Sequence, residues 1–143
     1  MNKILFFLFV SFFASNMQAQ TEGPVVTTKK LKVVFHLTTA DTLAQKALVK
    51  QLGNFLHAAP KARLEVVCHN NGIVFLQTAA TKHAGKISEL KALGVDFVAC
   101  ENTMRERKIK REELVSQCRT VPAGVVEVVM KQDAGWAYIK AGM

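Results

Sequence analysis

The chain has 143 residues, 50% of them hydrophobic and 21% charged, with a formal net charge of +8. That length fits one domain with a real core, and the positive balance raises nucleic acid as a partner. The bases are spread along the chain, however, and three cysteines are too few and too widely spaced for a disulfide framework.

At the N-terminus Met1-Asn2-Lys3 gives a short positive start, and ten of the eleven residues from Ile4 to Ala14 are apolar. Ser15-Asn16-Met17-Gln18-Ala19-Gln20 follows, with a cut expected after Ala19. This is the order of a signal peptide. The apolar run falls short of the roughly 20 residues that cross a bilayer, although an uncleaved N-terminal anchor is the open alternative. Removing residues 1–19 takes only Lys3 among the ionisable groups and leaves 124 residues with charge +7. The mature protein is expected outside the cytoplasm, in the periplasm or secreted, free of the membrane and of nucleic acid.

Residues 20–30 read as a flexible lead-in. Leu31-Lys32-Val33-Val34-Phe35-His36-Leu37 is apolar on nearly both faces, which fits a buried parallel strand. Leu43, Ala44, Ala47, Leu48, Leu52, Phe55 and Leu56 recur at helical spacing and stop before Pro60. Residues 63–68 form a second strand, stopped by His69-Asn70-Asn71-Gly72. One short apolar helix is expected over 72–80 and another over 82–93, closed by Gly94. Residues 95–100 are the third strand. Asn102 or Thr103 is expected to cap a helical stretch, broken near Lys110 and running to about Gln117. Residues 119–121 give a fourth strand and 136–139 a fifth. Between them lies Gly124 to Lys131, rich in valine; its β-branched residues say strand, but strand–helix alternation demands a helical crossover. The whole predicts a three-layer α/β/α sandwich on a mainly parallel five-stranded sheet.

Open parallel sheets bind ligands beyond the carboxyl ends of their strands, and polar, reactive residues collect there. His36, Thr38 and Thr39 end the first strand, Cys68-His69-Asn70-Asn71-Gly72 the second, and Cys100-Glu101-Asn102-Thr103 the third. The expected pocket is His36, Cys68, His69, Asn70, Glu101, Asn102 and Thr103, with Cys100 as the reactive residue. A thiol just before a helix N-terminus is biased towards thiolate, and Arg105 and Arg107 follow in the first turns. The bland alternative is a small hydrophobe ending a strand. Cys68 and His69 resemble a nucleophile and base, but neighbours on a strand face opposite ways, so Cys68 reads as buried and His69 as shaping the pocket. Cys118, expected at a helix end, reads as packing.

The residue types suit zinc or copper, yet no pair has HxxxH or CxxC spacing, so no metal site is expected. His57 and His83 belong to no pattern. No GxGxxG, P-loop or Gly-x-Ser-x-Gly stretch is present, so no nucleotide cofactor is expected. Five bases crowd Arg105-Glu106-Arg107-Lys108-Ile109-Lys110-Arg111, either as a solvated helix face or as a surface for an acidic partner.

The chain from about Leu31 to Gly142 resembles the DsrE-like family of small α/β proteins linked to sulfur relay. The similar stretches include Val33-Val34-Phe35-His36, Asn54-Phe55-Leu56, Glu65-Val66-Val67-Cys68-His69 and Gly94 through Met104. The most specific are Val121-Pro122-Ala123-Gly124-Val125-Val126-Glu127 and Gly135-Trp136-Ala137-Tyr138-Ile139-Lys140, with Gln132 between them. The resemblance implies trimers or hexamers, and a persulfide carried on the strand-three cysteine, Cys100 here. The expectation is an exported sulfur carrier exchanging with donor and acceptor proteins. The alternative is a non-catalytic module of the same fold that binds a small ligand or metal.

Overall fold

A computed structural model describes residues 23–142; the signal sequence expected over residues 1–19 lies outside them. Residues 23–30 form no helix or strand, but the N–H groups of Val26 and Thr27 both donate to the Ala58 carbonyl, at 2.8 and 3.1 Å.

The elements alternate as the hydrophobic pattern requires. β1 (Lys32–Leu37) is followed by α1 (Thr42–Ala58), whose first turn is capped by the Asp41 carboxylate accepting from the Leu43 N–H at 2.7 Å. β2 (Arg63–Cys68) runs into a 3-10 helix (Asn70–Leu76), then α2 (Ala84–Ala92), β3 (Asp96–Cys100) and α3 (Glu101–Glu106). A short 3-10 turn (Arg111–Glu113), β4 (Cys118–Val121), α4 (Gly124–Asp133) and β5 (Ala137–Lys140) complete the chain. The strand order is β4-β3-β2-β1-β5 and every pairing is parallel.

Three local expectations are corrected. The segment after Leu76 is not helical, because the apolar stretch closes as a 3-10 helix over 70–76. The helix after β3 does not reach Gln117. It ends at Glu106, where Lys108 takes a left-handed conformation (φ 56) and turns the chain away. Cys118 therefore opens β4 instead of ending a helix. By contrast, the valine-rich stretch after Gly124 is helical. β4 and β5 lie on opposite edges of one parallel sheet, so the chain must cross the sheet between them, and topology overrides β propensity.

The two faces of the sheet are covered unequally. One carries the larger core, in which Phe35, Leu37, Val66 and Phe97 pack under Leu48 and Leu52 of α1, Ile73 and Phe75 of the 3-10 helix, and Ile87 of α2. On the other, Val34, Val67, Val98 and Val121 meet Val128 of α4, with Trp136 at the margin. At the amino ends of the strands this second face is tied by charge. Glu65, 1% exposed, accepts from Lys131 at 2.5 Å and Arg119 at 3.2 Å, and Arg119 also reaches Asp96 and Glu127. α4 is thereby clamped at one end and left free to meet the carboxyl ends of the strands at the other.

Candidate thiol site

Side chains alternate across a strand, and this alternation sorts the reactive residues. Phe35 and Leu37, Val66 and Cys68, and Phe97 and Ala99 all enter the larger core. His36, Val67, Val98 and Cys100 belong to the other face. Cys68 is completely buried away from the site, and burial together with the nearby Cys118 pushes its thiol far above the ordinary range. Cys118 is also core: its thiol donates to the Val115 carbonyl at 3.2 Å, and burial raises it. Neither is a thiolate near neutral pH.

Cys100 is different. It is the last residue of β3 and the N-cap residue of α3, and it is 2% exposed. Its sulfur accepts the N–H of Gly124, the first residue of α4, at 3.2 Å. Burial pushes the thiol up. That effect is outweighed by the Gly124 N–H, the Thr103 amide and hydroxyl and, least, the Asn102 amide, so the net shift is downward. The Asn102 N–H is itself committed to the Pro122 carbonyl at 3.3 Å, which stitches the starts of α3 and α4 together. Two helix N-termini thus converge on one sulfur, and both favour negative charge there. Arg105 and Arg107, expected to act on Cys100, are turned elsewhere: Arg105 to the Asn102 side-chain carbonyl, Arg107 to those of Asn70 and Asn71.

A cavity of about 270 Å³ opens over the sulfur, lined by His69, Asn70, Asn102, Thr103, Glu106 and the start of α4. Ligand pockets run from about 300 to 1,000 Å³, so this one suits a thiol terminus or a small anion. Gly124 is required for the approach. A Cβ there would lie 3.1 Å from the Cys100 Cβ and 3.2 Å from the Cβ of His69. Asn70 holds its corner in a left-handed conformation (φ 52), with its N–H on the Thr103 hydroxyl at 3.0 Å. That bond leaves the Thr103 hydroxyl proton free to face the sulfur.

Behind His69 stands His36, with Nε2 2.9 Å from His69 Nδ1 and the rings stacked at 5.0 Å. The Tyr138 hydroxyl lies 3.4 Å from His36 Nδ1. Burial lowers the pKa of both histidines, and His69 lowers that of His36 further. The pair is therefore neutral near pH 7, with one ring donating to the other.

Of the pocket residues expected from the sequence, His69, Asn70, Asn102 and Thr103 line the cavity with Cys100. His36 stands one layer back. Glu101 faces away and accepts from the Thr120 hydroxyl at 2.7 Å; Cys68 is on the wrong face. Asn102 and Thr103 are within the first turn of α3, which Cys100 itself begins. Gly124, Glu106 and Tyr138 were not singled out. A glycine directly after Pro122-Ala123, opening a valine-rich helix, was the available signal. Among the described residues no group of three or more His, Cys, Asp or Glu side chains is placed to hold a metal ion.

The family model for DsrE/DsrF-like proteins matches residues 13–141. The chain belongs to the DsrE/DsrF-like family. It is also similar to a solved protein of unknown function from Methanobacterium thermoautotrophicum, with 32% identity and a TM-score of 0.75 over 78% of this chain and 99% of the other. That neighbour shares the fold. No curated protein matches the chain. Family membership gives Cys100 a sulfur-relay type of fold as its frame, and the chemistry of the site has to be argued from its atoms.

Proposed function

We propose that this DsrE/DsrF-like protein is an exported sulfur carrier, in which Cys100 accepts a sulfane sulfur and later gives it up. The observation that carries this reading is the Cys100 sulfur held at 3.2 Å from the first N–H of α4, in a small cavity that also receives the start of α3. This arrangement stabilises an anionic sulfur through backbone and hydroxyl donors. The Cys100 thiolate attacks the outer sulfur of a donor persulfide, R–S–SH. A bond forms between Cys100 Sγ and that sulfur, the donor S–S bond breaks, and R–S⁻ leaves. The product is a Cys100 persulfide whose terminal sulfur carries the proton; no net oxidation occurs. An acceptor thiolate then attacks the terminal sulfur, and Cys100 leaves as thiolate into the same set of donors.

His69, which lines the same cavity, takes the persulfide proton, and its hydrogen-bonded partner His36 orients it. The exporting signal puts donor and acceptor outside the cytoplasm, and the chain works as a homo-oligomer, a trimer or hexamer. Mass spectrometry of the mature protein after exposure to glutathione persulfide tests the reading. One adduct of about 32 Da is expected. It disappears in Cys100→Ser and survives in Cys68→Ala and Cys118→Ser. An adduct that follows Cys68 or Cys118, or none at all on a reduced Cys100, overturns it.

A further inference from the structure

The basic cluster noticed in the sequence is not used by the thiol site, and α3 shows where it goes. The six residues of this helix divide by helical period between two cavities. Asn102, Thr103 and Glu106 line the thiol pocket; Glu101, Met104 and Arg105 line a separate open groove of about 570 Å³ on the far side. Lys108, Ile109, Lys110, Arg111 and Thr120 complete that groove.

Its construction is specific. After α3 the chain closes with the Ile109 N–H on the Met104 carbonyl at 2.9 Å and the Lys108 N–H on the Arg105 carbonyl at 3.2 Å. This closure sets Ile109 and Met104 together as an apolar floor and turns Lys108 outward. The turn requires a left-handed residue, φ 56, where glycine or asparagine is the ordinary occupant and lysine is strained. A strained cation at the rim is the kind of outlier that marks a functional surface.

The rim charge is also uncompensated. Among the described residues, Lys86 is ion-paired with Glu89, Lys91 and Arg119 with Asp96, and Lys131 with Glu65, while other cations, such as Lys46 and Lys50 on α1, are not. What distinguishes the groove is that four unpaired cations line one recess. Among the described residues Arg105, Lys108, Lys110 and Arg111 form no ion pair. Arg105 bonds an amide oxygen and Arg111 the carbonyls of Val115 and Cys118. Glu101, the one acid of the groove, is engaged by Thr120.

We infer that this groove docks an acidic segment of the protein that exchanges sulfur with Cys100, its carboxylates on the four cations and an apolar side chain on Met104 and Ile109. The inference rests on the sulfur-carrier reading for the partner's purpose, and on the groove alone for its chemistry. α3 is the shared wall, so a segment in the groove lies about one helix diameter, roughly 10 Å, from the thiol pocket. Nucleic acid fits less well, because no aromatic side chain in the groove can stack on a base. A lipid surface is flat, and the apolar floor here is recessed.

The test is fluorescence anisotropy with a labelled Gly-Glu-Glu-Leu-Glu-Glu-Leu-Glu peptide at physiological salt. Wild type binds. Lys108→Glu with Lys110→Glu weakens binding about tenfold or more, and Ile109→Ser weakens it without changing its salt dependence. Lys108→Gly weakens it while the melting temperature holds or rises, because glycine relieves the turn; this separates docking from folding. Lys46→Glu with Lys50→Glu on α1 removes the same charge elsewhere and leaves binding intact. Equal loss in the α1 variant, equal affinity for an all-glutamate peptide, no binding at all, or tighter groove-dependent binding of a duplex oligonucleotide or phosphatidylserine vesicles overturns the proposal. Loading of Cys100 by glutathione persulfide, read on the same variants, needs no docking. Failure of the carrier chemistry is therefore seen apart from failure of the groove.

Discussion

Cys100 and Cys68 are the same residue type at the ends of neighbouring strands, and their chemistry is set by which face of the sheet each side chain enters. Cys68 meets only core and is pushed up; Cys100 meets the Gly124 N–H and the start of α3, and is pulled below the ordinary thiol value of 9.0. The rate of Cys100 alkylation by iodoacetamide against pH should therefore rise with a midpoint below 9.0. Gly124→Ala should move that midpoint up and slow the reaction severalfold, since its Cβ forces Cys100, His69 and Val67 apart by tenths of an ångström. A midpoint unchanged in Gly124→Ala would remove the α4 amide from the account. The histidine pair makes a separate prediction. Both pKa values lie below 6.5 in the folded chain, so the unfolded chain takes up protons first as pH falls. Stability from this pair is complete above 6.5 and is lost as pH drops from 6.5 towards the folded values. Wild type should lose more melting temperature between pH 7 and 5 than His36→Asn/His69→Asn does, and equal losses would show the pair to be uncoupled from folding.

At the scale of elements, Gly72 and Gly53 form a matched pair. Gly72, the third residue of the 3-10 helix, lies hard against the end of β1, where a Cβ would stand 2.0 Å from the Leu37 carbonyl oxygen. Backbone cannot yield as a side chain does, so Gly72→Ala should cost about 3 kcal/mol or more. Gly53 is inside α1 with nothing within 4 Å of a Cβ, and Gly53→Ala should stabilise by about 0.5–1 kcal/mol. Urea unfolding of both variants measures the contrast; a tolerated Gly72→Ala would mean that the β1 end is softer than its packing shows. The same positions show what sequence can carry. Strand–helix alternation follows from apolar runs and punctuation, so the five strands and the crossover α4 were legible, the latter only because parallel strands require it. The end of α3 was legible only in part: a break was expected near Lys110, but the residues are good helix formers through Glu113, and the stop comes earlier, at Lys108, in a conformation its side chain disfavours. The site was half legible for a related reason. Residues following β2 and β3 are adjacent in sequence to the strands that aim them, whereas Gly124 and Tyr138 reach the site through sheet topology.

At the scale of the whole molecule, the unequal layers are the unresolved feature. Among the described residues, one sheet face is covered by α1, the 3-10 helix and α2 and the other by α4 alone, and α4 turns Val125, Val126, Val129 and Met130 outward at 52–61% exposure. These positions form one stripe at helical spacing, an apolar patch of the kind that marks an interface. Val125 also lines the thiol cavity, so whatever covers the stripe narrows the entrance to Cys100. A second copy is the economical occupant, because closed symmetry would bury the stripe and the cavity mouths together. It would also answer a difficulty raised by the proposed export: in an oxidising compartment a low-pKa thiol is prone to oxidation through sulfenic to sulfinic acid, and assembly would shield it. The mature chain should sediment as a trimer or hexamer, and Val126→Glu with Val129→Glu, neither of which lines the cavity, should sediment as a monomer. In dilute peroxide the monomeric variant should accumulate Cys100 sulfinic and sulfonic acid several times faster than wild type, read by mass. A wild-type monomer would sink the assembly, and equal oxidation rates in oligomer and monomer would leave the thiol protected by its own pocket instead.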